Sequence, residues 1–183
     1  MPNSLISIAS LPDKGYGART RHNAERADLT VAFAIDYQTT GEQATRKFAG
    51  EKYLAIPFGF KPIDAAKKLL AGMTERNVSI LNVAGHGLQT LGRHGKTQSE
   101  TNKWMFEVLR FAHDRRPIQK IVSGGQTGVD TAAAVAGVAL GIEVDMSYPD
   151  GFLRRNADGK DYPGDPAAIE AEIREMAMAM GRA

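Results

Sequence analysis

The chain has no cysteine, which excludes disulfides, thiolate metal sites and cysteine nucleophiles. No apolar run approaches the ~20 residues of a membrane span. Met1-Pro2-Asn3-Ser4 lacks the basic start and apolar core of a signal peptide. Both absences predict a soluble, cytoplasmic protein with no membrane partner. Charge of one sign is scarce too: the formal net charge of +2 is too small to argue for a polyanion. Aromatic residues, at 7%, are too few for the basic aromatic groove of a single-strand nucleic-acid binder. No Gly-x-Ser-x-Gly elbow or P-loop lysine occurs, which argues against α/β-hydrolase chemistry and P-loop nucleotide triphosphatases. His22, His94 and His113 are not spaced as metal ligands, so no metal site is expected. With 183 residues, the chain predicts one domain, 1–183, with a substantial core.

The most informative segment is Lys120 to Asp130. A β-branched run ends in Ser123-Gly124-Gly125-Gln126-Thr127-Gly128-Val129-Asp130, and an almost wholly apolar helical pattern follows from Ala132 to Leu140. Strand, glycine-rich turn and helix in this order place free N–H groups and the positive end of a helix dipole where a phosphate or carboxylate can sit. A capping box of Thr127 and Asp130 is the alternative that needs no ligand.

Elsewhere, apolar runs at Leu29–Ile35, Tyr53–Phe58, Val78–Ala84 and Ile142–Met146 read as buried strands. Helices are expected at Gln43–Ala49, Pro62–Arg76, Thr97–Arg116 and Asp165–Met180, with an irregular arm over 1–18 that carries one short strand at Leu5–Ala9, a short helix closing over Ala24–Asp28, and a loop over 88–96. In the third helix Thr97 and Glu100 form a capping box, and Trp104, Val108, Phe111 and Ala112 make a core stripe. The alternation predicts an α/β, Rossmann-like parallel sheet with helices on both faces. In such sheets ligands bind outside the carboxyl ends of the strands. Four polar loops follow strand ends here, at 36–42, 85–87, 124–130 and 147–160, and are expected to share one rim.

These loops resemble the YpsA-type family, which carries a molybdenum-carrier label and belongs to the SLOG superfamily with the Lonely-guy phosphoribohydrolases and DprA. The resemblance rests on the 123–130 string, the Pro149-Asp150-Gly151 to Asp158-Gly159 loop with Tyr162-Pro163, Arg19-Thr20 with Asn23, Thr40-Gly41, and Leu81-Asn82-Val83-Ala84-Gly85. It spans most of residues 19–163. In family members the glycine motif opens the chain, whereas here it arrives at 124, so the order resembles a circular permutation. Permutation is tolerated where the original termini lie close together on the surface. The family implies a Rossmann-like fold and a nucleotide-type or pterin-phosphate ligand. Thr40-Gly41-Glu42 matches a fragment of the phosphoribohydrolase loop that ends in a catalytic glutamate.

The expected ligand-binding residues are Gly124, Gly125, Gln126, Thr127, Gly128 and Asp130 in the motif. Thr39, Thr40 and Gly41 stand at a second helix start, where Thr40 with Gln43 is an alternative capping box. Arg19, Arg21 and Asn23 come from the resemblance, Gly85 follows a strand, and Arg154 and Arg155 are candidate phosphate clamps. Glu42 and Asp130 are the candidate acid/base carboxylates. His86 stands on the rim or is a turn residue with no role. A bulky residue at Gly125 is expected to block the ligand and spare the fold. Lys120–Ser123 is expected to lie beside Leu29–Ile35. Three functions follow: a carrier or sensor for a phosphate-bearing or nucleotide-derived ligand, an N-glycosidic hydrolase of such a ligand, or an interaction module with a vestigial pocket. Oligomeric state stays open, a homo-oligomer included.

Overall fold

The computed structural model describes residues 5–181. Its elements run β1 (Ile6–Ser10), α1 (Tyr16–Glu25), β2 (Leu29–Ala34), α2 (Thr40–Ala49), β3 (Tyr53–Pro57), α3 (Pro62–Arg76), β4 (Ile80–Gly85), α4 (Leu88–Arg93), α5 (Gln98–Arg115), β5 (Lys120–Gly124), α6 (Val129–Ala139) and β6 (Glu143–Tyr148). A short ribbon of β7 (Arg154–Arg155) and β8 (Asp161–Tyr162) precedes α7 (Pro166–Met180). The six long strands form one parallel sheet in the order β1-β6-β5-β4-β2-β3. Helices α1 and α2 pack together, and α3, α5, α6 and α7 form a separate group. Right-handed crossovers put the two groups on opposite faces, because the chain reverses its direction of travel across the sheet after β3. The fold is therefore the expected α/β, Rossmann-like sheet covered on both faces. No helix among the described residues is long and apolar enough to cross a membrane.

Burial explains the sequence pattern. Every residue of β2 is buried, which is why Leu29 to Ala34 carries no polar alternation. Helix α6 is apolar all round because α5, α7 and the sheet enclose it. The α5 capping box forms, and the α5 stripe packs as core: Val108 and Ala112 are buried, and Trp104 meets Phe33 edge-on at 5.2 Å. Pro166 opens α7 behind an Asp165 cap.

Four expectations are corrected. The arm over 1–18 carries its expected short strand as β1, but α1 already begins at Tyr16 and closes at Glu25, where only a short helix ending over Ala24–Asp28 was expected. This helix has no capping side chain, no acidic first turn and a glycine near its start, so only tertiary packing of Asn23 and Ala24 reveals its full extent. Residues 88–93 are the helix α4, anchored by buried Leu91 and by the Leu88 N–H donating to the Thr127 carbonyl. Lys120–Ser123 does not adjoin Leu29–Ile35, because β4 lies between them. Finally, Gly125 is a packing glycine: a Cβ there would land in the ring of Tyr148, which is among the largest fully buried side chains.

The last point reverses the expected effect of bulk at this position. Gly125→Val should destabilise the fold by about 3 kcal/mol or more, since overpacking a rigid aromatic leaves no low-energy rotamer. Urea denaturation measures this, and a wild-type midpoint would mean that Tyr148 can turn aside.

Candidate functional site

The strand order places a topological switch between β2 and β4: the connection leaving β2 runs outward through α2 to β3, and that leaving β4 runs the other way through α5 to β5. Loops that diverge to opposite faces leave a crevice at the carboxyl ends of the strands. A cleft of about 530 Å³ occupies this place, within the range of small-molecule sites. Its walls are α1 (Tyr16, Arg19, Asn23) and the start of α2 (Thr39 to Glu42), with the β4 loop (Gly85, His86) and the β5 loop (Gly124, Gln126, Asp130) opposite.

The floor is charged and largely buried. Arg19 NH1 lies 3.4 Å from Asp130 Oδ2, with side-chain exposures of 12% and 6%. The same oxygen accepts from the Gln126 backbone N–H at 3.3 Å. Gly124 makes room for this pair, because a Cβ there would overlap both side chains. Burial pushes the Asp130 carboxyl up, and the Arg19 guanidinium opposes that shift. Glu42, in the first turn of α2, is 4% exposed and so is not a solvated surface acid. Burial, and then the charge of Asp130, raises its carboxyl to about 7. Asn82 Nδ2 donates to Thr30 Oγ1 at 3.1 Å and is thereby satisfied.

The glycine motif is arranged differently from its sequence reading. No Thr127–Asp130 capping box forms: Gly128 is the N-cap of α6, with φ +92 and no side-chain cap bond. The Gly128 N–H donates to Gln98 Oε1 at 2.6 Å, and the Val129 N–H donates to the His86 carbonyl at 3.1 Å. Internal acceptors thus take the Gly128 and Val129 donors at the start of α6. Thr127 Oγ1 donates to the Arg155 carbonyl at 2.7 Å, while Gln126 Oε1 accepts from the Arg155 N–H at 2.7 Å. These two side chains hold both backbone groups of one ribbon residue. At α2, by contrast, the N-cap is Thr39 and not Thr40, its Oγ1 accepting from the Glu42 N–H at 3.4 Å. The N–H groups of Thr40 and Gly41 have no acceptor among the described residues, and both residues line the cleft.

Of the expected site residues, Arg19, Asn23, Thr39, Thr40, Gly41, Glu42, Gly85, Gly124, Gln126, Asp130 and Arg155 meet in the cleft, as does His86. Gly125, Thr127 and Gly128 do not line it. Arg21 points away and pairs with Glu25 at 3.1 Å. Arg154 pairs with Glu172 at 2.7 Å and ties the ribbon to α7, and so is no phosphate clamp. Arg155 is engaged by Asp161 at 2.9 Å while its guanidinium lies 5.2 Å from the centroid of the Tyr16 ring. Sequence reasoning missed Tyr16, Thr45, Gln89 and Thr90. The first sat in the supposed arm and the last two in the supposed loop, so only an earlier recognition of α1 and α4 would have found them. No family model matches the chain, and no curated protein matches it significantly.

Glu42 makes the cleft sensitive to pH. Its raised proton affinity means that its contribution to stability is intact below about 4.5 and is lost as pH rises through about 7. Glu42→Gln removes that loss. The variant should exceed the wild type by up to about 3 kcal/mol near pH 8 and converge on it near pH 4.5. Thermal unfolding across this range is the measurement, and equal stability at the alkaline end would show that the carboxyl is well solvated.

Proposed function

We propose that the chain binds a nucleotide-derived or other phosphate-bearing small molecule in this cleft, as a carrier or sensor. One observation carries the reading. Among the described residues, seven buried side-chain polar atoms lack a hydrogen-bond partner. Five of them belong to residues lining the cleft: Arg19 Nε, Asn23 Oδ1 and Glu42 Oε2 stand alone, while Tyr16 Oη and Gln126 Nε2 have only a loose interaction with each other, and Tyr16 Oη another with Asp161. Native proteins leave few such groups unmet, and their concentration in one concavity marks a site whose polar partner is a ligand. The free N–H groups of Thr40 and Gly41 suit the anionic end, since they combine unpaired donors with the positive end of α2. The acceptors Glu42 and Asn23 suit hydroxyl donors such as those of a sugar.

The resemblance to the YpsA-type family supports the same reading. Arg19, Asn23, Thr40 and Gly41 precede the glycine motif in the chain, yet they line one cleft with Gly124, Gln126 and Asp130. A circular permutation of that family, with its phosphate seat at the start of α2, accounts for this order. A pterin phosphate fits the same chemistry as a nucleotide.

A second reading, hydrolysis of an N-glycosidic bond, is favoured by the two carboxyls. Arg19 holds Asp130, whereas Glu42 titrates near neutrality. Two carboxyls in one cleft, one paired with an arginine and one that exchanges its proton near neutrality, suit general acid/base chemistry. Glu42 would stabilise charge developing on the sugar as water attacks and the protonated base departs.

Thermal shift with inorganic phosphate, AMP and ADP-ribose, together with chromatography for released base, separates the two readings. Binding without release supports the carrier or sensor. Release that falls roughly 100-fold or more in Glu42→Gln, with ligand-induced stabilisation retained, supports the hydrolase. If none of the panel stabilises the protein, the cleft is not a nucleotide site.

A further inference from the structure

His86 is the cleft residue to which neither reading gives a task. It stands between Gly85 and Gly87 at the end of β4 and is 5% exposed. It also bridges the two loops of the topological switch, because its Nε2 accepts a hydrogen bond from the Asp36 backbone N–H at 3.0 Å. A ring nitrogen that accepts this bond carries no proton, so the neutral ring has its proton on Nδ1. Burial lowers the proton affinity of the imidazole; the charge of Asp36 opposes this shift and His94 adds to it. The ring is therefore neutral at neutral pH. Its Nδ1 makes no hydrogen bond among the described residues, yet it is not one of the buried atoms left without a partner. The nitrogen is open, and the surface that His86 lines is the cleft.

The position of this donor is informative. Asp36 begins the loop that delivers Thr40 and Gly41, so the bond from Asp36 N–H fastens His86 beside the start of α2. An uncharged N–H adds direction at this rim without another charge beside Glu42 and Asp130. A turn residue with no role would not need its tautomer fixed by a backbone donor 50 positions away in sequence.

We propose that His86 is a ligand-contacting residue: the Asp36 N–H fixes its tautomer, and its Nδ1–H donates to an acceptor atom at the anionic end of the bound molecule. This rests on the nucleotide-type reading of the cleft.

Two substitutions separate the nitrogens. In His86→Gln the amide oxygen can replace Nε2 as acceptor for Asp36, and the donor to the cleft is lost. In His86→Asn the amide nitrogen stands near the place of Nδ1, and the hold on Asp36 is lost. Dissociation constants for inorganic phosphate, AMP and ADP-ribose are measured on the full chain by calorimetry, beside melting temperatures. The imidazole nitrogens of the wild type are observed by ¹⁵N NMR. The expected result is a protonated Nδ1 with a bare Nε2, binding weakened roughly tenfold in His86→Gln at wild-type melting temperature, and much of that loss recovered in His86→Asn. A proton on Nε2, or equal binding by the wild type and His86→Gln, overturns the role of His86 and leaves the cleft reading standing. Failure of the wild type to bind any of the three overturns both.

Discussion

The Arg19–Asp130 ion pair beneath Gly124 is the contact on which the cleft depends. Arg19 comes from a helix on one face of the sheet, and Asp130 opens a helix on the other. Their side chains meet above the carboxyl end of β5, where a residue with a Cβ would fill the space. Removing one partner of a buried pair leaves an uncompensated charge, at a cost of about 3–5 kcal/mol. The glycine, the arginine and the aspartate therefore act as one unit. Together they close the bottom of the cleft, orient α1, and set the field in which Glu42 titrates.

Around this unit, the parts of the rim divide their work. The glycine motif is mainly architectural: Gly125 admits the Tyr148 ring, Gly128 lets the His86–Leu88 backbone pass close by, and Gln126 and Thr127 grip the β7–β8 ribbon. The ribbon in turn brings Arg155 against Tyr16 and is fastened to α7 through Arg154. Open donor capacity lies instead at the start of α2, and open acceptor capacity at Glu42 and Asn23. Glu42 stands on the same wall as these donors and Asn23 on the α1 wall.

The electrostatics follow from this division. Two carboxyls in a largely buried floor repel, and a single arginine engages only one of them. Burial, and then the charge of Asp130, raises the proton affinity of the unengaged acid, Glu42.

Much of this was legible in the sequence. Period and length gave β2 to β6 and α2, α3, α5, α6 and α7, because buried parallel strands are continuous apolar runs and amphipathic helices repeat locally. The shared rim was legible for the same reason, since polar loops after parallel strands all leave the sheet at one edge. The extent of α1 and the presence of α4 were not legible, as neither helix carries capping signals or a broad apolar stripe; packing alone stabilises them. Strand neighbours were not legible either, and β4 came between the two strands expected to touch. Only the tertiary structure decided that the Gly128 and Val129 N–H groups at the start of α6 are taken, because Gln98 and the His86 carbonyl reach them from distant parts of the chain. It likewise decided that Glu42 is buried and that Arg154 faces Glu172. Sequence fixes each residue's chemistry and local period; proximity between segments, and hence burial and proton affinity, exists only once the chain has folded.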